Sequence, residues 1–561
     1  MAHALLSRGA QGNHGGTGTE EATAGLLPRV AGSVWCALAL WLLVSNLFVP
    51  SYGFSRYETW AALLAGAAVL ALMLGIPWLL DLLDSLLRFR WIQVMGSVLG
   101  WAAVFAVLMR FADAVRLPPD WDAAVVFFSA RGLALEGGPE AVDGNYFQVN
   151  PNNTLLMLLL SRYLVVADGL GAQDLRQSVA YLGAALLFCG VLLTYAAAAL
   201  LGGRRAARMT LVPSITLIVL SPWLPVFYSD TAALPFTISI FCLLVVAGRC
   251  RLPGRLLLWA AAGALSAVGY GVKPTVLIVL VAAALVTLLS PRRRSWGKDL
   301  LTSVLSVAVA AGCFAGTSAV LGAWTGSLLG KDSADKELAM PFTHFLKVGA
   351  QQYPGRHGDY YGAYNEQDRI GTQQIADPQE RFDAGVEAYR ERVAAMGPWG
   401  YAGFLNAKLR WMTGDGSFFS WGEGRMTADD FIADDPLSRT VQDFYGPGRP
   451  GFGVLLNVWQ GTWFLVLALC GAGLFLRGPP LNSRGAVTAR IALLGLFVFL
   501  ALSEGRARFL YLYVPFFIVL GSLSMQRLAA GAWGPADRRR LSRQQRARDT
   551  PPPPSPDEVV E

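Results

Sequence analysis

The residues of this 561-residue chain that could do chemistry are few and grouped. Asp120-Trp121-Asp122 places two carboxylates one residue apart, after Leu117-Pro118-Pro119 and ahead of an apolar stretch from Ala123 to Leu135. Carboxylates just outside the end of a membrane helix are not needed to hold a bundle together. They can act as a general base toward something carried in the membrane, help worth about 10²–10⁴-fold. Proline stops the preceding helix, and an aspartate there can simply cap the next one by accepting backbone N–H bonds. Capping explains one acid well and two less well.

Further polar groups lie at or near membrane depth. Tyr146-Phe147-Gln148-Val149-Asn150-Pro151-Asn152-Asn153 reads as a turn whose asparagines cap the following helix. Its aromatic pair suits a membrane interface or a sugar ring. Tyr228-Ser229-Asp230-Thr231 and Lys273-Pro274 read as short turns, and Glu504-Gly505-Arg506-Ala507-Arg508 as a link between the last two spans. Ionisable residues this close to hydrocarbon point to function by default, against the plainer alternative of snorkelling to the interface. Lys273, Arg506 and Arg508 can hold a phosphate, arginine through paired bonds and lysine as a point charge.

These groups need a frame, and composition supplies it. Hydrophobic residues make up 54% of the chain and charged residues only 15%, with a mean hydropathy of +0.43. That predicts an all-α polytopic membrane protein. Apolar runs long enough to cross a hydrocarbon layer of about 30 Å predict full spans at 31–50, 59–80, 92–110, 178–201, 209–227, 232–247, 256–272, 274–290, 299–322, 454–476, 487–503 and 508–527. The first lacks a small-residue cleavage site and reads as a retained span. Six cysteines without a CxxC pair read as buried thiols, with no disulfide framework or zinc site. The formal net charge of +7 is assigned to cytoplasmic loops and tail, not to nucleic-acid binding.

Lys and Arg placement fixes the topology. With the N-terminus inside, Arg88 and Arg90, Arg204, Arg205 and Arg208, Arg249, Arg251 and Arg255, Arg292 to Arg294 with Lys298, Arg477 and Arg484, and the tail from Arg538 to Arg548 all face the cytoplasm. The stretch Thr154 to Ala167 is too short for an untilted span; as a full crossing it would invert every later loop. It is therefore expected to lie along, or dip into, the outer face. The resulting division is a disordered cytoplasmic tail (1–30), N-terminal spans (31–110), a first extracytoplasmic loop with juxtamembrane helices (111–177), and a membrane core (178–322). A large extracytoplasmic loop (323–453), C-terminal spans (454–527) and a disordered basic, Pro-rich tail (528–561) follow. The localisation expected is a bacterial plasma membrane, with the site on the extracytoplasmic side.

DWDAAVVFFSARGLALEGG, YFQVNPNN, YSDTAALPF, GVKPT and EGRARFLYLYVPF, in that order, resemble the GT-C membrane glycosyltransferases. The nearest branch is the bacterial one related to protein O-mannosyltransferases and lipid A aminoarabinose transferases. The resemblance runs from about Asp120 to Phe516. It implies a GT-C-type bundle of about twelve helices. It also implies inverting transfer of a sugar from a polyprenyl-phosphate donor to an extracytoplasmic glycan, lipid or protein. Asp122 would be the base, with Asp120 the runner-up, because relatives often carry adjacent acids where this chain has Asp-Trp-Asp. Lys273, Arg506 and Arg508 would hold the donor phosphate, Glu504 would orient the arginines, and Tyr146, Asn152, Asn153 and Asp230 would contact substrate. No catalytic metal or other cofactor is expected, although the Asp-x-Asp spacing leaves a divalent cation open. The segment Asp415 to Gly424 reads as a Gly-punctuated loop able to contact acceptor. The rival reading is a transporter or flippase of lipid-linked glycans, disfavoured because neither an internal repeat nor a pair of discontinuous helices is legible. A surface-polysaccharide polymerase using a pyrophosphate donor shares the same site logic.

Overall fold

The computed structural model describes residues 26–52, 56–87, 89–290, 296–329, 337–355, 357–418, 423, 430–476, 478 and 480–532. Most of the two expected tails, together with Arg88, Arg292 to Arg294 and Arg477, falls outside them. Where described, the tails are shorter than expected: the first helix already begins at Leu26 and the last continues to Ala532.

The chain enters through α1 (Leu26–Phe48), α2 (Thr59–Leu86) and α3 (Arg90–Ala114). Short elements follow: α4 (Trp121–Leu135), α5 (Gly144–Val149) and α6 (Thr154–Gly169). The long α7 (Leu175–Met209) then leads through a four-residue α8 (Leu211–Ser214) to α9 (Ser229–Ala247), α10 (Leu252–Val272), α11 (Leu277–Leu289) and α12 (Trp296–Leu329). Ten helices among the described residues are long and apolar enough to cross a membrane. The protein is an all-α polytopic membrane protein.

Two of the twelve expected spans are not long regular helices. The segment 274–290 is a short apolar helix, Pro274–Leu289. The segment 209–227 is broken: α8 passes into a π-helical turn at Ile215–Val219 and then into irregular backbone up to Tyr228. Pro222 and Pro225 deny it regular hydrogen bonding. Irregular backbone at such depth is tolerated only inside protein, and here its carbonyls are met by distant side chains. Ile218 O accepts from Tyr511 OH at 2.8 Å and from Ser221 Oγ at 2.9 Å. Leu220 O accepts from Tyr445 OH at 3.0 Å and from Trp459 Nε1 at 2.9 Å.

The second large loop folds as α13 (Phe342–Gly349), a hairpin of β1 (Gln352–Gly355) and β2 (Gly358–Tyr361), α14 (Glu366–Gln373), α15 (Pro378–Thr413) and α16 (Pro436–Tyr445). The two strands pair antiparallel, with Gln352 opposite Tyr361, the one departure from an all-helical chain among the described residues. Asx caps start its helices: Asn365, Asp377 and Asp435 accept backbone N–H bonds, the last two followed by proline at the first helical position. α15 bends at Gly397, whose φ of +66° suits glycine, just before Pro398. The bend lays its second half against α1, where Asn46 Nδ2 donates to Thr413 Oγ1 at 3.0 Å.

α17 (Phe452–Ala472), α18 (Arg484–Leu502) and, after a 3₁₀ segment Ala507–Tyr513, α19 (Val514–Ala532) complete the bundle. α2 and α17 meet so closely that a Cβ on Gly461 would lie 2.0 Å from Ala62 O, which only glycine permits. Aromatic rings fill the core beside that contact: Trp463 and Trp35 pack edge-on to Phe517 at 4.9 and 5.3 Å. All six cysteines are unpaired, and Cys250 is exposed, unlike the buried thiols the sequence suggests.

Candidate active site

Asp120 and Asp122 part company at the start of α4. The Asp120 carboxylate caps the helix by accepting from Trp121 N at 3.1 Å, and its own N–H donates to Glu423 O at 2.9 Å. Asp122, in the first turn, instead accepts from Tyr228 OH at 3.2 Å. Trp121 between them has a φ of +43°, the left-handed region that a tryptophan occupies at a cost of about 1–3 kcal/mol. Phe418 has the second such backbone (φ +51°), and its carbonyl accepts from Trp223 Nε1 at 3.0 Å. Among the described residues these are the two non-glycines with positive φ; Trp121 opens α4 beside Asp122, and Phe418 follows the Asp415 turn.

From Asp122 the polar contacts spread inward. Asn153 Nδ2 donates to Tyr146 OH at 2.7 Å and to Tyr228 OH at 3.0 Å. The turn at 146–153 is really two short helical pieces, and Asn153 makes no cap bond to α6; its amide serves this cluster instead. Burial first, and then the Asp122 carboxylate, raise the pKa of both Tyr146 and Tyr228, so both phenols stay protonated donors.

The cationic half adjoins this. Lys273 pairs with Asp230, and Arg508 with Glu423, while Arg508 Nη2 lies 3.6 Å from the other oxygen of Asp230. The Arg508 guanidinium also sits 5.5 Å from the Tyr228 ring and 5.4 Å from Phe509; Lys273 Nζ lies 5.1 Å from that same Phe509 ring. Glu423 ties the halves together, since its second oxygen accepts from Ala123 N, beside Asp122, at 3.1 Å. Asp230 is 0% exposed and Glu423 1%. Burial raises the Glu423 carboxyl pKa, with Arg508 opposing. A narrow cleft of about 40 Å³, walled by Pro118, Phe127 and Phe227, reaches Glu423 from Arg116 and Arg176.

Not every expected residue joins. Asn152 is exposed, and its side chain donates to Asn153 Oδ1 at 3.3 Å. Arg506 is held apart from Arg508, with Nε 3.2 Å from Glu504 and its guanidinium 5.7 Å from the Tyr364 ring. The expected set of three phosphate-holding cations is therefore split, and Glu504 orients Arg506 rather than both arginines. Two participants were missed. Glu423 lies in the Asp415–Gly424 loop singled out for acceptor contact, but a lone glutamate there carries no signal of its own. Lys408, fully buried, donates to Gly349 O at 2.8 Å and Ala501 O at 3.0 Å, and also to Ser503 O. It fastens the start of the Glu504–Arg508 link to α15 and to the end of α13. Among the described residues, no group of three or more His, Cys, Asp or Glu side chains could hold a metal ion.

A family signature matches residues 34–529. The chain belongs to a family described as conserved hypothetical integral membrane proteins. No curated protein matches it. Among solved structures, the chain is similar to ArnT from Cupriavidus metallidurans, in one crystal structure bound to undecaprenyl phosphate and in another in the apo state. Identity is 15% and 16%, over 78% of this chain and 78% and 79% of those. The TM-score is 0.29 in both cases, which carries no residue correspondence.

Proposed function

We propose that this protein is a membrane glycosyltransferase of GT-C type, transferring a sugar from a polyprenyl-phosphate donor to an extracytoplasmic acceptor with inversion. What carries the reading is that Asp122 shares one buried polar cluster with Lys273 and Arg508, joined through Tyr228, Asn153 and Glu423. A base and two cations in one cluster suit a reaction that takes a proton from one partner and leaves charge on the other.

In that reaction Asp122 accepts the proton of the acceptor hydroxyl as its oxygen bonds to the anomeric carbon. The bond from that carbon to the phosphate oxygen breaks, and the polyprenyl phosphate leaves with the electron pair. Cations already in place stabilise that charge at the outset. Counted fully ionised, Asp122, Asp230 and Glu423 outnumber Lys273 and Arg508 by one. A donor phosphate must therefore displace a carboxylate from Arg508, and Glu423 is the one whose raised pKa eases its neutralisation. Tyr146 and Asn153 lie on the acid side of the cluster and are assigned to the sugar or acceptor. The mechanism asks for no metal, and the acceptor class is left to experiment.

Asp122→Asn and Asp120→Asn, each assayed for sugar transfer in membranes, test the proposal. Loss with the first and retention with the second is the expected pattern, and full activity in both would overturn it. One observation favours the rival flippase reading: the crossing at 211–228 is discontinuous, a feature common in transporters. Movement of a labelled lipid-linked sugar across proteoliposomes without acceptor, unaffected by Asp122→Asn, would select that reading instead.

A further inference from the structure

The end of the bundle opposite this site contains a cavity of about 470 Å³ lined by Arg29, Gly32, Ser33, Gly473, Asn482 and Arg490, among others. Pro28, also on its wall, and Asn46, next to the outer loop, lie 18 residues apart on α1, about 27 Å at helical rise. Arg204, Arg208, Arg249 and Arg484, the residues assigned to the cytoplasm by charge, lie at this same end.

Arg490 is the unusual member. It lies on the membrane-spanning α18, is 4% exposed, and donates from Nη1 to Leu481 O at 2.9 Å. Its Nε is buried without a hydrogen-bond partner. Among the described residues no carboxylate pairs with it. Arg508 shares an unpaired Nε but has Glu423 as counter-charge, Arg208 has Asp81 and Asp84, and Arg381 donates to the carbonyls of Glu337, Ala339, Ile375 and Ala376. A buried cation without counter-charge is costly. Here it opens onto a cavity whose rim carries a second arginine, the exposed Arg29. A Cβ on Gly32 would come within 3.2 Å of Arg490 Nη1, so that wall has no side chain to block the guanidinium.

We infer that this cavity binds a phosphoryl anion between Arg490 and Arg29, supplied either by the headgroup of an anionic lipid or by free phosphate. Guanidinium groups match phosphate oxygens through paired bonds. Basic pockets between spans at the cytoplasmic end are suited to anionic headgroups. The inference does not rest on the proposed transfer reaction, and its test does not read activity.

The full-length protein in neutral detergent would be heated with dioleoylphosphatidylglycerol, with dioleoylphosphatidylcholine, or with inorganic phosphate against chloride at equal ionic strength. A raised Tm with phosphatidylglycerol and not with phosphatidylcholine supports a headgroup; the same rise with inorganic phosphate supports the free ion. Arg29→Gln, on the exposed rim, should fold normally and raise the half-saturating concentration about fivefold, the effect of one basic residue near an anionic surface. Arg490→Gln should abolish the response. Equal shifts with both lipids and none with phosphate would overturn the inference, as would unchanged half-saturation in Arg29→Gln.

Discussion

Arg508 and Arg208 are both buried arginines gripping two carboxylates, at opposite ends of the same bundle. The partners of Arg208 reach water: the Asp81 side chain is 60% exposed, and Asp84 is shared with Arg204. The partners of Arg508, Glu423 and Asp230, are 1% and 0% exposed, and aromatic rings lie against its guanidinium. The wet cluster pins α2 to α7 and can lose a member without stranding a charge. In the dry one every charge depends on the others, so a substrate that brings its own charge must rearrange it. An ion cluster sealed from water is a poor tether and a good place for chemistry.

The sharpest way to break this contrast is Asp122→Asn. Transfer measured with a synthetic polyprenyl-phosphate sugar should fall by about 10²–10⁴-fold. Asp120→Asn keeps an oxygen that accepts from Trp121 N, so it should preserve the helix cap and leave both stability and turnover largely intact. Next come the arginines. Arg508→Gln leaves Glu423 buried without its cation, while Asp230 keeps Lys273, and should destabilise by about 3–5 kcal/mol in denaturant titrations. Arg208→Gln, with partners open to solvent, should cost about 1 kcal/mol or less. Equal costs would erase the distinction between the two ends.

Acid sharpens it further. Burial raises the Glu423 pKa in the folded state above the 4.5 of a free glutamate, so the folded protein holds that proton more tightly than the unfolded chain. Its contribution is full below the unfolded pKa and is lost as pH rises through the folded one. Glu423→Gln should flatten that slope in unfolding curves taken from pH 4.5 upward. The smallest effect is expected at Trp121. Trp121→Gly relieves the left-handed backbone and should stabilise by about 1 kcal/mol while lowering transfer, because Asp122 loses the constraint that aims it.

Asp122, Asp230, Lys273 and Arg508 were legible as site residues because charge interrupting an apolar run is expensive and needs a reason. Asn153 was legible as a turn residue, but its amide points to Tyr146 and Tyr228, a contact between elements that local pattern does not encode. Glu423 was invisible for the opposite reason: it lies in a polar loop where a glutamate costs nothing until the fold buries it. Arg506 and Arg508 look equivalent in sequence, two residues apart, and the 3₁₀ geometry that begins at Ala507 sends them to different neighbours. Hydropathy found the segment 209–227 and misjudged its shape, since apolar composition reports burial and not whether the backbone is helical.

That broken crossing has a consequence for how the protein is made. Its carbonyl at Leu220 waits for Tyr445 and Trp459, and that at Ile218, met locally by Ser221, gains Tyr511 293 positions later. During synthesis none of the three distant partners has yet left the ribosome when this segment reaches the membrane. Unlike its neighbours, it cannot be released into lipid as a self-sufficient helix. It must be held by the insertion machinery or by earlier spans until the C-terminal third arrives. Truncation before Phe452 should therefore leave 211–228 accessible to water-soluble thiol reagents at an introduced cysteine, where the full chain protects it.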